Sequence, residues 1–154
     1  MYRMIGIAHP TSDPRPVDIG YTQAASQAFA THLSPSIPGS RKFRFIHTSG
    51  ILSEKDQSKP LWFNVAGRRS RGESETKIIE FAKDNEETYE GIVVRPGLVL
   101  RRGLASKIWL GLTWDWCIEV EGLARAMLGL AKRGRNGGSG WVENRVLVKS
   151  GKTY

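Results

Sequence analysis

The sequence has a single cysteine, Cys117, and no run of apolar residues long enough to span a bilayer. One cysteine excludes an internal disulfide and any metal site built from several cysteines. The hydrophobic run at the start of the chain ends at His9 and Pro10 after a few residues, which is too short for the core of a signal peptide. We therefore expect a cytoplasmic protein that has no resident metal and no membrane partner.

Glycine is also missing where a nucleotide-binding fold most often needs it. The first predicted strand, residues 3–8, runs into AHPTSDPRP, which contains no glycine. A complete dinucleotide-binding domain has a glycine-rich turn at this point, because glycines let the backbone approach the pyrophosphate. Residues 67–72 have the glycine spacing of a P-loop, but Glu73 stands where the phosphate-binding lysine is required. These residues exclude a P-loop.

Acidic residues are fewer than basic ones, 15 against 23, which gives a formal net charge of +8. Clustered lysine and arginine gain affinity for nucleic acid by releasing counterions from the phosphate backbone. The clusters here fall at four separate connections, and no basic-aromatic signature of an RNA-binding domain accompanies them. A basic nucleic-acid-binding domain is therefore the weakest interpretation, and we do not expect nucleic acid as a partner. The clusters lie at residues 41–44, 68–71, 101–102 and 132–135.

The hydrophobic periodicity alternates between that of strands and that of helices, which is typical of α/β layers around a parallel sheet. A chain of 154 residues is the size of one domain, so we expect a single domain over residues 1–154. Asp18 is the expected N-cap of the first helix, and Glu73 and Glu75 are expected in the first turn of the second. The predicted strands are 3–8, 43–48, 91–95 and 142–149, and the predicted helices are 17–33, 70–83 and 123–131.

Three segments resemble a known superfamily. They are FRFIHTSG at residues 43–50, SRGESE at 70–75 and VVRPGLVL at 93–100. Together they resemble the extended and atypical short-chain dehydrogenase/reductases, the superfamily of the nucleotide-sugar epimerases, and particularly its fungal NAD(P)-binding members. The resemblance corresponds only to the second half of that family. It implies a Rossmann-like, three-layer parallel sheet that is incomplete, because it lacks the N-terminal glycine-rich βαβ half.

The resemblance also implies functional residues and a cofactor, NAD or NADP. Thr48 or Ser49 corresponds to the hydroxyl that orients the substrate. Ser70 and Arg71 stand on the family's Ser-Lys pair, where Arg71 could reach a ribose or a phosphate. The implied catalytic residues are Thr48, Ser49 and Arg71, and the implied cofactor-binding residues are Ser70, Arg71, Arg95, Pro96 and Gly97.

One departure from the family pattern limits the expected activity. The alignment that places Ser70 and Arg71 on the Ser-Lys pair puts Gly67 where the family has its proton-transferring tyrosine. Glycine cannot move a proton, and an arginine is a fixed cation whose pKa cannot be tuned. The expected function is therefore an NAD(P)-binding protein with weak or no oxidoreductase activity. If it is active, it is an oxidoreductase or epimerase-like enzyme that acts on a small-molecule substrate.

Structural roles remain open for several of these residues. Residues 48–50 could simply end a strand, His47 could be a buried histidine, and Arg95 could pair with an acidic neighbour. The second interpretation of the whole chain is a non-catalytic α/β interaction module. Because an incomplete sheet leaves apolar strands such as 4–7 and 43–46 uncovered, we expect a homodimer or a protein partner.

Overall fold

A computed structural model of the chain describes residues 13–39, 41–101 and 116–152. A π-helical segment, Pro16–Tyr21, leads into the first α-helix, and a short 3-10 turn, Ser34–Ser36, follows that helix. The other elements, in chain order, are α1 Thr22–His32, β1 Phe43–Thr48, α2 Val65–Asp84, β2 Tyr89–Arg95, β3 Leu98–Leu100, β4 Cys117–Glu119, α3 Val120–Arg133, β5 Gly140–Glu143 and α4 Asn144–Lys152.

The chain divides into two compact units, and both are discontinuous in sequence. Unit 1 comprises Met1–Phe43 and Ser53–Tyr89, and it contains α1 and α2. Unit 2 comprises Arg44–Leu52 and Glu90–Tyr154, and it contains β3, β4, β5, α3 and α4 with nearly all of β1 and β2.

The main sheet of unit 2 has three parallel strands in the order β1-β2-β5. In the pairing of β2 with β5, Ile92 lies opposite Gly140 and Arg95 lies opposite Glu143. The backbone N–H of Ser49 donates to the Val94 carbonyl over 2.9 Å, which continues the contact between β1 and β2. A second, two-stranded parallel sheet pairs β3 with β4. The predicted α/β class with a Rossmann-like parallel sheet is confirmed.

The core of unit 2 is formed by β-branched and aliphatic side chains from the strands and from both of its helices. Helix α3 ends at Arg133, and Gly134 follows it as the C-cap with φ 75° and ψ −173°, a conformation that favours glycine. Helix α4 approaches α3 closely, because a Cβ on Gly151 would lie 2.4 Å from the Gly122 carbonyl oxygen. The buried core residues are Ile92, Val94, Ile118, Ala126, Val142 and Leu147.

Unit 1 is centred on the two helices α1 and α2 and on an aromatic cluster. Ile78, Ile79 and Ala82 of α2 are buried, as their spacing predicted. The Tyr89 ring lies 5.8 Å from Phe43 and 5.2 Å from Phe81, measured between centroids. Offset and edge-on aromatic contacts of this kind stabilise a core beyond the apolar area they bury.

Two predictions about helices in unit 1 are wrong. Helix α2 begins at Val65, five residues before the predicted start, so Glu73 and Glu75 lie in its middle and do not meet the helix dipole. Asp18 is not an N-cap, because the π-helical segment already includes it. In α1 the buried position is Ser26. The carboxylate and the carbonyl of Asp18 instead accept hydrogen bonds from α2.

The predicted last strand, 142–149, is correct only for its first two residues. Strand β5 ends at Glu143, and the residues after it form helix α4. The run RVLVK contains β-branched residues typical of a strand, but the buried positions Asn144, Leu147 and Gly151 have the spacing of one helix face. The core contact of Leu147 with the rest of unit 2 outweighs the strand preference of the valines, because the helix buries this whole face.

The strand surface expected to drive self-association is only partly open. Residues 43–46 are half-buried, and Ile46 packs against the core of unit 2. The other expected surface, 4–7, belongs to the predicted strand 3–8 and lies outside the described residues. Within the described ranges, no helix is long and apolar enough to cross a membrane.

Candidate functional site

The candidate site in unit 2 lies where its parallel strands end. Strands β1 and β2 run in the same direction, so Thr48 and Arg95 end at the same edge of the sheet. Thr48 is exposed, whereas Ser49 is half-buried. The structure therefore brings Thr48, Ser49 and the Arg95-Pro96-Gly97 turn to one edge, which is where open α/β sheets bind ligands.

Arg95 is paired with an acidic neighbour. Its Nη1 lies 3.1 Å from Oε1 of Glu143, the residue opposite it on β5. The Arg95 side chain is 12% exposed and that of Glu143 is 51% exposed, so the guanidinium is mostly buried and the carboxylate faces solvent.

The turn at Pro96 and Gly97 connects the two sheets of unit 2. A Cβ on Gly97 would lie 2.1 Å from the Trp116 carbonyl oxygen, so only glycine fits this close approach. The Gly97 N–H donates to Oδ1 of Asn144 over 2.9 Å, and Nδ2 of Asn144 donates to the Cys117 carbonyl over 3.4 Å. The glycine of the Arg-Pro-Gly segment therefore has a packing role that the sequence did not indicate.

Asn144 is a residue that sequence reasoning missed. It is 1% exposed and begins helix α4 directly after β5. A buried carboxamide needs hydrogen-bond partners. The Gly97 N–H supplies a donor, and the Cys117 carbonyl supplies an acceptor. The available signal was an asparagine between a strand and an amphipathic segment, but the predicted strand over 142–149 concealed it.

Ser70 and Arg71 lie on α2, in unit 1. Ser70 is 3% exposed and its Oγ donates to Oδ2 of Asp18 over 3.1 Å. Ser74, one turn later, donates to the Asp18 carbonyl over 2.6 Å. Ser70 therefore connects α2 to the π-helical segment, while Arg71 is exposed to solvent. Gly67, at the position of the missing tyrosine, is half-buried beside the Asn64 side chain.

A second missed group is a buried ion pair at the opposite end of β2. Glu90 is 6% exposed and accepts hydrogen bonds from Nε of Arg44 over 2.7 Å and from the Arg135 N–H over 2.8 Å. Nη1 of Arg44 donates to the Ala131 and Lys132 carbonyls at the end of α3. Because these contacts join β1, β2 and the end of α3, this group stabilises the fold of unit 2.

Unit 1 also contains a buried carboxyl group and a small cavity. Glu75 is completely buried in α2 and accepts a hydrogen bond from Oγ of Ser53. The cavity lies between α1 and α2, and its volume of about 30 Å³ is too small for a nucleotide. Its lining residues are Gln23, Ser26, Gln27, Lys77, Ile78 and Phe81.

The histidine next to the candidate hydroxyls is neutral in the folded state. His47 precedes Thr48 on β1, its ring lies 6.5 Å from that of Phe45, and burial lowers its pKa to about 4. A histidine with this pKa is neutral at physiological pH and is a poor general base, because efficient bases titrate near the working pH. The prediction of a buried structural histidine agrees with this environment.

We expect the free energy of unfolding to decrease as the pH is lowered from 7 to 5, because of His47. The unfolded imidazole takes up a proton below its ordinary pKa of 6.5, whereas the folded one stays neutral down to about 4. Acid therefore favours the unfolded state by about 2 kcal/mol between pH 7 and pH 5. Urea titrations at both pH values should show this loss in the native chain and not in His47→Gln. An equal loss in both proteins would contradict the assignment.

Neither a group of metal ligands nor a match to a known protein adds to the description of this site. Across 13–39, 41–101 and 116–152, no three His, Cys, Asp or Glu side chains lie together as a metal site requires. No protein-family model matches the chain, and no curated protein matches it.

Proposed function

We propose that the chain is an NAD(P)-binding protein of the short-chain dehydrogenase/reductase type, with weak or no oxidoreductase activity. The observation that carries the proposal is the Arg95-Pro96-Gly97 turn at the carboxyl end of a central parallel strand, next to Thr48 and Ser49 on β1. Dinucleotides bind outside the carboxyl ends of such strands. The resemblance of the three segments to that superfamily supports the same assignment.

Arg95 of unit 2 is proposed to hold the cofactor. It supplies a mostly buried guanidinium at the strand end, and its pair with the more exposed Glu143 fixes its position. Arginine presents a planar set of donors that fits phosphate, so Arg95 is suited to an anionic ligand. Arg71 is exposed on α2 of unit 1, and its proposed role toward a ribose or phosphate rests on the resemblance alone. Thr48 and Ser49 supply hydroxyl groups for a substrate oxygen.

The weak activity follows from the missing proton donor. Gly67 has no side chain that could transfer a proton. His47, which directly precedes Thr48 on β1, is neutral. General acid-base catalysis contributes about 10² to 10⁴ in rate, and this chain lacks that contribution at the expected position. The cofactor, when bound, supplies the hydride chemistry, and the residues of this chain only position it.

Calorimetric titration with NADH and NADPH tests the proposal. We expect dissociation constants of about 100 µM or weaker, because the glycine-rich pyrophosphate turn is absent from the sequence. Arg95→Met should weaken binding several-fold further, because it removes the guanidinium at the strand end. The control is Arg145→Met, which removes an exposed arginine from α4 of the same unit and should leave binding unchanged.

Three results would contradict this assignment in different ways. Submicromolar binding would contradict the expected weak binding. Carbonyl reduction at about 1 per second would mean that the chain is a competent enzyme and that Gly67 is misaligned. No binding of either cofactor at millimolar concentration would remove the cofactor role. The remaining function would then be the non-catalytic module, which exposed apolar side chains such as Leu98 and Trp116 in unit 2 favour.

A further inference from the structure

Trp62 is the most exposed large hydrophobic side chain of the described residues, at 89%. Its ring meets that of Phe63 edge-on, with centroids 5.0 Å apart, and the Arg68 guanidinium carbon lies 4.8 Å from the Phe63 centroid. Three planar groups are therefore adjacent on the surface of unit 1. Exposed aromatic surface of this kind commonly marks an interaction site, because burying it in a partner is favourable.

The loop that carries Trp62 is anchored to helix α2. The Glu54 N–H donates to the Arg68 carbonyl over 2.9 Å, and Nε2 of Gln57 donates to the Arg69 carbonyl over 3.2 Å. In return, Nη2 of Arg69 donates to the Lys59 carbonyl over 3.2 Å. These bonds order the loop before any partner binds, so association does not have to fix it, and this ordering favours affinity.

The segment that carries Trp62 is basic. Residues 54–71 contain five lysines and arginines against two acidic residues, which is an excess of three positive charges. Glu54 forms an ion pair with Lys59 at 2.9 Å, and Asp56 accepts hydrogen bonds from Ser58. The net charge of the segment, which already counts these two acidic residues, favours a polyanion as the partner.

We propose that this surface, defined by Trp62, Phe63 and Arg68, binds single-stranded nucleic acid. An exposed aromatic ring stacks with an unpaired base, and neighbouring cations follow the phosphate backbone, which is the general mode of sequence-tolerant single-strand binding. A duplex keeps its bases stacked and cannot use Trp62 in this way. The sequence shows no aromatic signature of nucleic-acid binding beside the basic clusters. In the structure, an aromatic group, Trp62 and Phe63, lies next to Arg68 of the cluster 68–71.

Fluorescence anisotropy with labelled oligo-dT and oligo-U of about 12 nucleotides tests this proposal. We expect binding that weakens strongly between about 50 and 200 mM salt. Trp62→Ala should weaken it about ten-fold or more, and Trp62→Phe should retain most of it. Arg68→Gln should reduce the dependence on salt. The matched control is Trp116→Ala, which removes a 55% exposed tryptophan from unit 2 and should change affinity less than two-fold.

Three outcomes would overturn the proposal. Unchanged affinity in Trp62→Ala would mean that the charge alone attracts the oligonucleotide. Equal affinity for a duplex of the same length would also mean that charge alone attracts the oligonucleotide, because a duplex has no unpaired base to stack on Trp62. No binding of either oligonucleotide at the lower salt concentration would leave the surface to a protein partner. None of these outcomes depends on NAD(P) binding, which the calorimetric titration measures separately.

Discussion

Gly72→Ala is expected to destabilise the protein by about 3 kcal/mol or more, although alanine normally stabilises a helix relative to glycine. A Cβ at position 72 would lie 1.8 Å from the carbonyl oxygen of Glu54 and 2.7 Å from the Lys55 nitrogen. These are backbone atoms, so no side-chain rotation relieves the overlap. The loop would have to move away from α2 and break the hydrogen bond from the Glu54 N–H to the Arg68 carbonyl.

The matched control for this prediction is Gly122→Ala, a second helical glycine. Its Cβ would make one ordinary contact, 3.9 Å from Cγ1 of Ile118. With no overlap, the helix preference of alanine should raise stability by up to about 1 kcal/mol. Urea denaturation followed by circular dichroism measures both variants. A Gly72→Ala protein as stable as Gly122→Ala would show that the loop does not pack against α2 as described.

Glu90→Ala is expected to cost about 3 to 5 kcal/mol, because it leaves the half-buried Arg44 guanidinium without its carboxylate. It also removes the acceptor for the Arg135 N–H at the end of α3. Glu90→Gln keeps an oxygen acceptor and should lose less. The double variant Arg44→Met with Glu90→Leu should be more stable than Glu90→Ala alone, since no unpaired charge remains buried.

The second arginine–glutamate pair of the sheet is the internal control. Glu143 is 51% exposed, so Glu143→Gln should cost less than about 1 kcal/mol although its partner Arg95 is also a strand arginine. Denaturant titrations of the four variants give these differences directly. Equal costs for Glu90→Ala and Glu143→Gln would mean that burial does not determine the strength of the two pairs.

Local patterns in the sequence predicted the parts of the fold that depend on local preference. Strand β1 has its predicted bounds, because FRFIHT combines aromatic and β-branched residues between turn signals. Helix α3, Val120–Arg133, contains the predicted helix 123–131, and Gly134 follows it with a positive φ that favours glycine. Ile78 and Ile79 lie within the predicted helix 70–83 and are buried.

Local sequence patterns could not predict contacts between residues that are distant in the chain. Nothing near Gly72 indicates that a loop residue 18 positions earlier lies against it, because this is a tertiary contact. The Arg44 and Glu90 pair joins residues 46 positions apart, and each side chain alone looks like a surface charge on a strand. The strand-like run after β5 became a helix because Leu147 is buried in the core of unit 2. The candidate site was predicted only as far as the resemblance extends.

The Arg44 group also has a consequence for the newly made chain. Arg44 emerges from the ribosome 46 residues before Glu90 and 88 residues before the Lys132 carbonyl that it binds. At about 5 to 20 residues per second, translation of those 88 residues takes about 4 to 18 seconds. During about the first half of that interval β1 exists without β2, and until its end β1 exists without the end of α3. The contacts of Arg44 in unit 2 can therefore form in full only after α3 has been made.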